Sequence, residues 1–391
     1  MTLSVGTVGS RLAQVRDHLR AAQIDALVVT HLPNLRYLTG FAGSAGMVVL
    51  MPRTCLFLVD FRYVTAANAL ASPLDGRITV ETFDGSYEEA IVDVLRRERC
   101  LRIGIEAAYM PVSRFNAISS GLAARAPLPV GSMTGAPALV ATERLVERVR
   151  VIKDDEELAV LREAGRRLGA LALRVPELVQ EGRTELEIAA DIDAAMRQSG
   201  FSRPAFETIV ASGPNSALPH ARPTDRAVRA GEPTVLDFGG VYGGYCVDLT
   251  RTVQLGAVSG PQAKLYAAVR EAQTAAIRAV RPGVAASTID AAARSVLERH
   301  GLGEAFGHGT GHGLGLEVHE APRVGPARPV THAPLPGTAQ LPDVLAAGMV
   351  VTIEPGAYIP GWGGVRIEDD LLVTATGAER LTGVPVMLSV D

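Results

Sequence analysis

The segment Thr234-Val-Leu-Asp-Phe-Gly-Gly-Val-Tyr-Gly-Gly-Tyr-Cys-Val-Asp-Leu-Thr-Arg-Thr252 reads as two strand-forming runs joined by a glycine-rich turn, a β-hairpin. A turn centred between Tyr242 and Gly243 places Asp237 directly opposite Asp248. Each acid sits among apolar neighbours, Leu236 and Phe238 on one strand, Val247 and Leu249 on the other. Facing carboxylates repel, and burying them is costly unless a cation or a shared proton compensates.

The pattern recurs in Val351-Thr-Ile-Glu-Pro-Gly-Ala-Tyr-Ile-Pro-Gly-Trp-Gly-Gly-Val-Arg-Ile-Glu-Asp369. A turn centred on Gly361 sets Glu354 opposite Glu368. Four carboxylates brought together in this way suit one or two hard divalent cations. Between the hairpins lies Gly307-His-Gly-Thr-Gly-His-Gly-Leu-Gly-Leu-Glu-Val-His-Glu320. Its alternating glycines exclude a stable helix, so His308 and His312 are not a helical zinc pair, and glycine on both sides of His312 permits close backbone approach. Carboxylates with one imidazole favour Mn²⁺, Co²⁺ or Zn²⁺ over Ca²⁺, and Mn²⁺ suits the oxygen-rich set best.

Around this core the chain has two styles. Residues 1–140 interleave helices and strands: a helix near Arg11–Ala22, strands at Ala26–Thr30, Met47–Leu50 and Leu56–Val59, then helices and strands alternating to a helix after Pro111. This is an α/β domain. Ala124–Ala141, rich in Pro, Gly and Ala, reads as the crossing to a second domain over 141–391. There, helices Asp154–Arg174 and Glu185–Ser199 precede strands up to Gln254; helices Pro261–Val280 and Thr288–His300, the latter entered through Ser287, precede strands up to Thr374. Helix, helix, strands, repeated, is a duplicated α+β order. Thr184 and Glu187 form a capping box.

Composition narrows the function. Of 391 residues, 38 are Lys or Arg and 42 Asp or Glu, a balance without a basic stripe, which argues against nucleic acid as partner. Cys55, Cys100 and Cys246 form neither a disulfide framework nor a CxxC pair. Cys246 shares a strand face with Asp248 and reads as packing. The apolar runs are strand-sized, far short of a membrane span, and the first residues lack a signal-peptide pattern, so a cytoplasmic setting is expected.

The motifs V-L-D-F-G-G, Y-C-V-D-L-T-R-T, G-H-G-L-G-L-E-V-H-E, T-I-E-P-G and G-G-V-R-I-E-D, in this order, closely resemble those of the proline-specific metallopeptidases, prolidase (Xaa-Pro dipeptidase) and aminopeptidase P. Asn34-Leu-Arg-Tyr-Leu-Thr-Gly-Phe41 and Asp60-Phe-Arg-Tyr63 resemble their amino-terminal domain. The resemblance implies a pita-bread catalytic domain with two divalent metal ions, usually Mn²⁺, behind a smaller α/β domain, and a homodimer. It implies Asp237, Asp248, His312, Glu354 and Glu368 as ligands and Glu354 as proton shuttle. His220 and His319 would steady the carbonyl, His308 would flank the metal ligand, and Arg366 would neutralise the shell or hold a substrate carboxylate. The implied substrates are small peptides with proline second, dipeptides ahead of longer ones. Creatinase-type C–N hydrolysis, methionine aminopeptidase activity and a non-catalytic peptide-binding role are the alternatives on related folds. The chain departs from the family at the Pro-rich stretch 322–347, expected to act as a rim or lid, with His332 a plain loop residue.

Overall fold

The computed structural model describes residues 3–124, 136–327, 341, 343–385 and 389–390. The crossing segment and the Pro-rich stretch with His332 therefore lie largely outside the described residues. The chain divides into two compact units, one within Met1–Arg150, the other within Val151–Pro329 and Pro342–Asp391.

The first unit is built on a six-stranded mixed sheet ordered Thr79–Thr82, Cys55–Val59, Met47–Leu50, Ala26–Val29, Arg102–Glu106, Ala138–Thr142. Ala26–Val29 runs antiparallel to Met47–Leu50 and parallel to Arg102–Glu106. The three strands from Ala26 to Val59 are buried at every position, as strands covered on both faces must be. Helices Tyr87–Arg97 and Val112–Ala124 cover one face, packing Ile91, Leu95, Ile118 and Leu122 with Val28, Val49 and Ile103. Each such side chain contributes about 1.5–3 kcal/mol on full burial.

The second unit has the duplicated order expected from the sequence. Helices Asp155–Ala172 and Glu185–Gln198 precede one five-stranded sheet; Gly260–Ala279 and Ala286–Arg299 precede the other. Capping boxes start three of these helices, at Asp154/Glu157, Thr184/Glu187 and Ser259/Gln262, a cap being worth about 1 kcal/mol. The fourth helix differs. It begins at Ala286, two residues before the expected Thr288, and no side chain caps it. Its start is fixed from outside, by the Ala286 amide donating to the Asp343 carbonyl and by an Ala285–Val344 bridge.

The first hairpin also differs in register. Tyr245 pairs with Tyr242, so the turn is the two residues Gly243 and Gly244, with φ of +58° and +97°. A two-residue turn needing positive φ at both positions is what Gly-Gly supplies at little steric cost. Asp237 therefore faces Thr250 and Asp248 faces Gly239. A slip of two residues keeps both acids on one face but makes them diagonal neighbours rather than direct opposites.

The second hairpin keeps its expected register: Gly356 pairs with Arg366 and Ile359 with Gly363. The same register continues beyond a gap, where Ile353 pairs with Asp369 and Thr352 with Asp370. Glu354 and Glu368 occupy the matching positions in that gap, bonded into neither ladder. Trp362, at the tip, is partly exposed.

Candidate metal centre

Asp237 and Asp248 rise from one sheet, Glu354 and Glu368 from the gap in the other, and His312 from the short strand Gly311–Gly313 beside it. The two sheets are joined here by the Glu368 amide donating to the Thr250 carbonyl at 3.1 Å, and by the Asp248 amide donating to Asp370 Oδ2 at 2.9 Å. All five predicted ligands line a single cavity of about 610 Å³, together with His220, His308, His319 and Arg366.

Ligand atoms of Asp248, His312 and Glu368 lie within 4.8 Å of one another. Glu354 Oε1 is 3.6 Å from His312 Nε2. Asp237 lines the same cavity outside that close trio, its Oδ2 lying 2.5 Å from Arg366 Nη2. Asp237 Oδ1, Asp248 Oδ1 and Glu368 Oε1 are buried and have no hydrogen-bond partner. Buried anionic oxygens without donors are costly, and a divalent cation satisfies them together. The donor set therefore fits metal ions.

Electrostatics agree. Burial, then the neighbouring carboxylates, raise Asp248 and Glu368 well above the ordinary carboxylate range, and burial is likewise the main cause of Glu354 rising to about 8. His312 is held neutral, its pKa lowered by burial to about 4. Its Nδ1–H donates to the Gly313 carbonyl at 3.0 Å, which leaves the Nε2 lone pair as the ligating atom.

Arg366 is used within the protein. Its guanidinium donates to Asp237, to Tyr358 Oη at 2.8 Å, to the Pro219 carbonyl at 3.0 Å and to Thr250 Oγ1 at 3.3 Å. His308 donates Nδ1–H to the Gly309 carbonyl at 2.7 Å, so its Nε2 accepts from the Tyr358 hydroxyl at 2.9 Å. Burial keeps His308 neutral, near 4. The result is a directed chain from Arg366 through Tyr358 to His308. His319 packs against His312 with the rings tilted by 58°, centroids 4.3 Å apart, and His220 lies exposed on the cavity wall.

Thr250, Tyr358 and Asp370 are site residues that the sequence reading passed over. Thr250 donates to Glu368 Oε2 at 2.6 Å and is the register partner of Asp237. The Gly-Gly turn at 243–244 was the signal that identifies it. Behind them, Arg251 pairs with the fully buried Asp369 at 2.7 Å and donates to the Glu368 carbonyl at 2.5 Å, holding the backbone just after that ligand.

Comparison with known proteins agrees with this geometry. Residues 159–375 match metallopeptidase family M24, and residues 11–152 match the creatinase/prolidase N-terminal domain. The chain belongs to family M24, with the pita-bread catalytic fold. The chain is 42% identical to the probable dipeptidase PepE of Mycobacterium tuberculosis, covering 89% of this chain and 92% of that one. A solved Xaa-Pro dipeptidase from Bacillus anthracis is 33% identical, with a TM-score of 0.87 over 98% of this chain and 99% of that one. The X-Pro aminopeptidase of Thermotoga maritima is 31% identical, with a TM-score of 0.81 over 96% and 100%. Membership of this family implies divalent metal ions.

Proposed function

We propose that the protein is an Xaa-Pro peptidase that hydrolyses the imide bond of Xaa-Pro dipeptides, with two divalent metal ions, Mn²⁺ favoured, held by Asp237, Asp248, His312, Glu354 and Glu368. The observation that carries this reading is the set of donorless buried carboxylate oxygens beside a neutral imidazole. When bound, such ions supply an activated water and polarise a carbonyl.

The chain's own residues do the rest. The acidic floor of the cavity attracts the substrate's free amine. Glu354 accepts a proton from the attacking water and returns it to the proline nitrogen. His220 and His319 donate to the scissile carbonyl oxygen as negative charge grows there. Arg366 fixes the orientation of Asp237, and through Tyr358 it fixes His308 on the wall.

Dipeptides are favoured over longer peptides because relatives named as dipeptidases resemble the chain along most of its length. The similarity to an X-Pro aminopeptidase supports the second reading, cleavage of longer Xaa-Pro peptides. Steady-state rates on an Xaa-Pro dipeptide beside an Xaa-Pro-Xaa tripeptide decide between them. No turnover of either by metal-loaded protein contradicts both.

A further inference from the structure

Two helices of the second unit, Glu185–Gln198 and Ala286–Arg299, start against the same kind of backbone ladder. At the first, the Gly182 amide donates to the Val228 carbonyl, the Val228 amide to Arg183 and the Glu185 amide to Arg226, while Thr184 bridges Ala227. At the second, the Gly283 amide donates to the Leu345 carbonyl, the Leu345 amide to Val284 and the Ala286 amide to Asp343, while Ala285 bridges Val344. Glu185 and Ala286 thus stand at the same place in the two halves. An acid in the first turn suits a helix dipole. Alanine nevertheless serves in the second half, so neither the helix start nor the ladder needs a carboxylate here.

Glu185 is fully buried, and both of its oxygens are filled. Oε1 accepts from the Ser212 amide at 2.7 Å and the Ser212 hydroxyl at 2.8 Å. Oε2 accepts from the Thr224 amide at 3.0 Å and the Thr224 hydroxyl at 2.7 Å. Asn215 Nδ2 lies 3.1 Å from each oxygen and donates to both. Hydrogen bonds to an ionised acceptor are roughly twice as strong as neutral ones. One side chain therefore ties together Ser212 and Thr224, the two ends of a single loop.

That loop carries Pro219, His220, Ala221 and Arg222 into the wall of the metal cavity. Its crown is held from the second hairpin, where the Gly364 amide donates to Ser216 Oγ at 2.9 Å and Arg366 to the Pro219 carbonyl at 3.0 Å. Its base is held by Glu185. His220 is exposed, so its place opposite a substrate carbonyl is inherited from the loop backbone. Catalytic geometry is sensitive to such support, a misplacement of about 1 Å costing on the order of 10²-fold in rate.

We infer that Glu185 is a positioning residue for the hydrolysis, closing the base of the 212–224 loop and so holding His220 where it meets the scissile carbonyl. The inference rests on the role given to His220 in the Xaa-Pro reading above. Glu185 itself touches neither substrate nor metal.

The test is a double-mutant cycle: kcat and KM of the Mn²⁺-loaded protein on Ala-Pro for the unmodified chain, Glu185→Gln, His220→Ala and the two combined. Glutamine keeps the size of Glu185 but offers one accepting oxygen in place of two, which releases one end of the loop. In Glu185→Gln kcat should fall about tenfold to a hundredfold with KM little changed. Mn²⁺ affinity, read by competitive titration, should hold, since the loop carries none of the five ligands. In the His220→Ala background the same substitution should cost less than about threefold, because residues that act as a unit are not additive. Equal losses in the two backgrounds would make Glu185 a structural group only and overturn the inference, as would an unchanged kcat in Glu185→Gln or in His220→Ala. Asn215→Ala loosens the same clamp from the loop side, and it replaces Glu185→Gln in the cycle, under the same criteria, if that variant melts below the assay temperature. Any of these contrary results leaves the Xaa-Pro reading standing; an unmodified, metal-loaded protein inactive on Ala-Pro overturns both.

Discussion

The Thr250 hydroxyl lies 2.6 Å from Glu368 Oε2, while the other oxygen of Glu368, Oε1, is buried with no donor at all. One oxygen is thus oriented by the protein and the other kept for a ligand. A partner of this kind holds a ligating carboxylate in position, and its loss typically weakens metal binding about 10–100-fold. Thr250→Val should show that loss in a competitive metal titration, and Thr250→Ser should restore most of the affinity. Unchanged affinity in Thr250→Val would remove Thr250 from the account.

Arg366 and Asp237 are both buried, and their ion pair is 2.5 Å long. Removing one member of such a pair leaves the other uncompensated and costs about 3–5 kcal/mol. Arg366→Met in metal-free protein should lower the urea midpoint accordingly, with Arg366→Lys falling between, since lysine cannot reproduce the fork that also reaches Tyr358 and Pro219.

Stability should depend on pH and metal together. Burial raises Asp248, Glu368 and Asp370 well above the ordinary range and Glu354 to about 8. A raised carboxylate pKa favours folding fully below the unfolded value near 4, and that contribution disappears as pH climbs through the folded value. His308 and His312, lowered to about 4, are neutral in both states above pH 7 and drop out there. Between pH 7 and 9 metal-free protein should therefore lose thermal stability, and Mn²⁺ should raise Tm more at pH 9 than at pH 7. A Tm of the metal-free protein that is flat or rising over this window counts against the clustered acids.

Glu354→Gln keeps the size and a coordinating oxygen while removing the proton acceptor. The fold should survive, and kcat should fall about 10²–10⁴-fold, the usual contribution of general base catalysis. Stopped-assay rates beside circular dichroism check both halves. Turnover within a few-fold of the unmodified chain would exclude Glu354 as the shuttle.

How much of this was legible follows from residue spacing. In the second hairpin the turn centred on Gly361, within the Pro360–Gly364 stretch, gives the observed register, which persists past the gap that frees Glu354 and Glu368. The first hairpin holds two glycine pairs, at 239–240 and 243–244, and its turn falls one residue later than a centre between Tyr242 and Gly243. Alternation along a strand has period two, so the resulting two-residue slip preserved the faces of Asp237 and Asp248 but hid the Asp237–Thr250 pairing. Asp370 and Tyr358 were invisible for another reason. Asp370 meets Asp248 across 122 residues of chain, and Tyr358 meets His308 across 50, contacts that no local pattern encodes. At Ala286 a helix start is fixed by distant backbone, so local cap chemistry points two residues late.

The most direct test of the central claim is metal content coupled to turnover on an Xaa-Pro dipeptide. The purified protein is stripped with a chelator, reloaded with Mn²⁺, and assayed at each stage alongside elemental analysis. The account predicts about two ions per chain when loaded, as in two-metal hydrolytic sites, no hydrolysis after stripping, and recovery on reloading. Full hydrolysis by protein shown to hold no metal would contradict it.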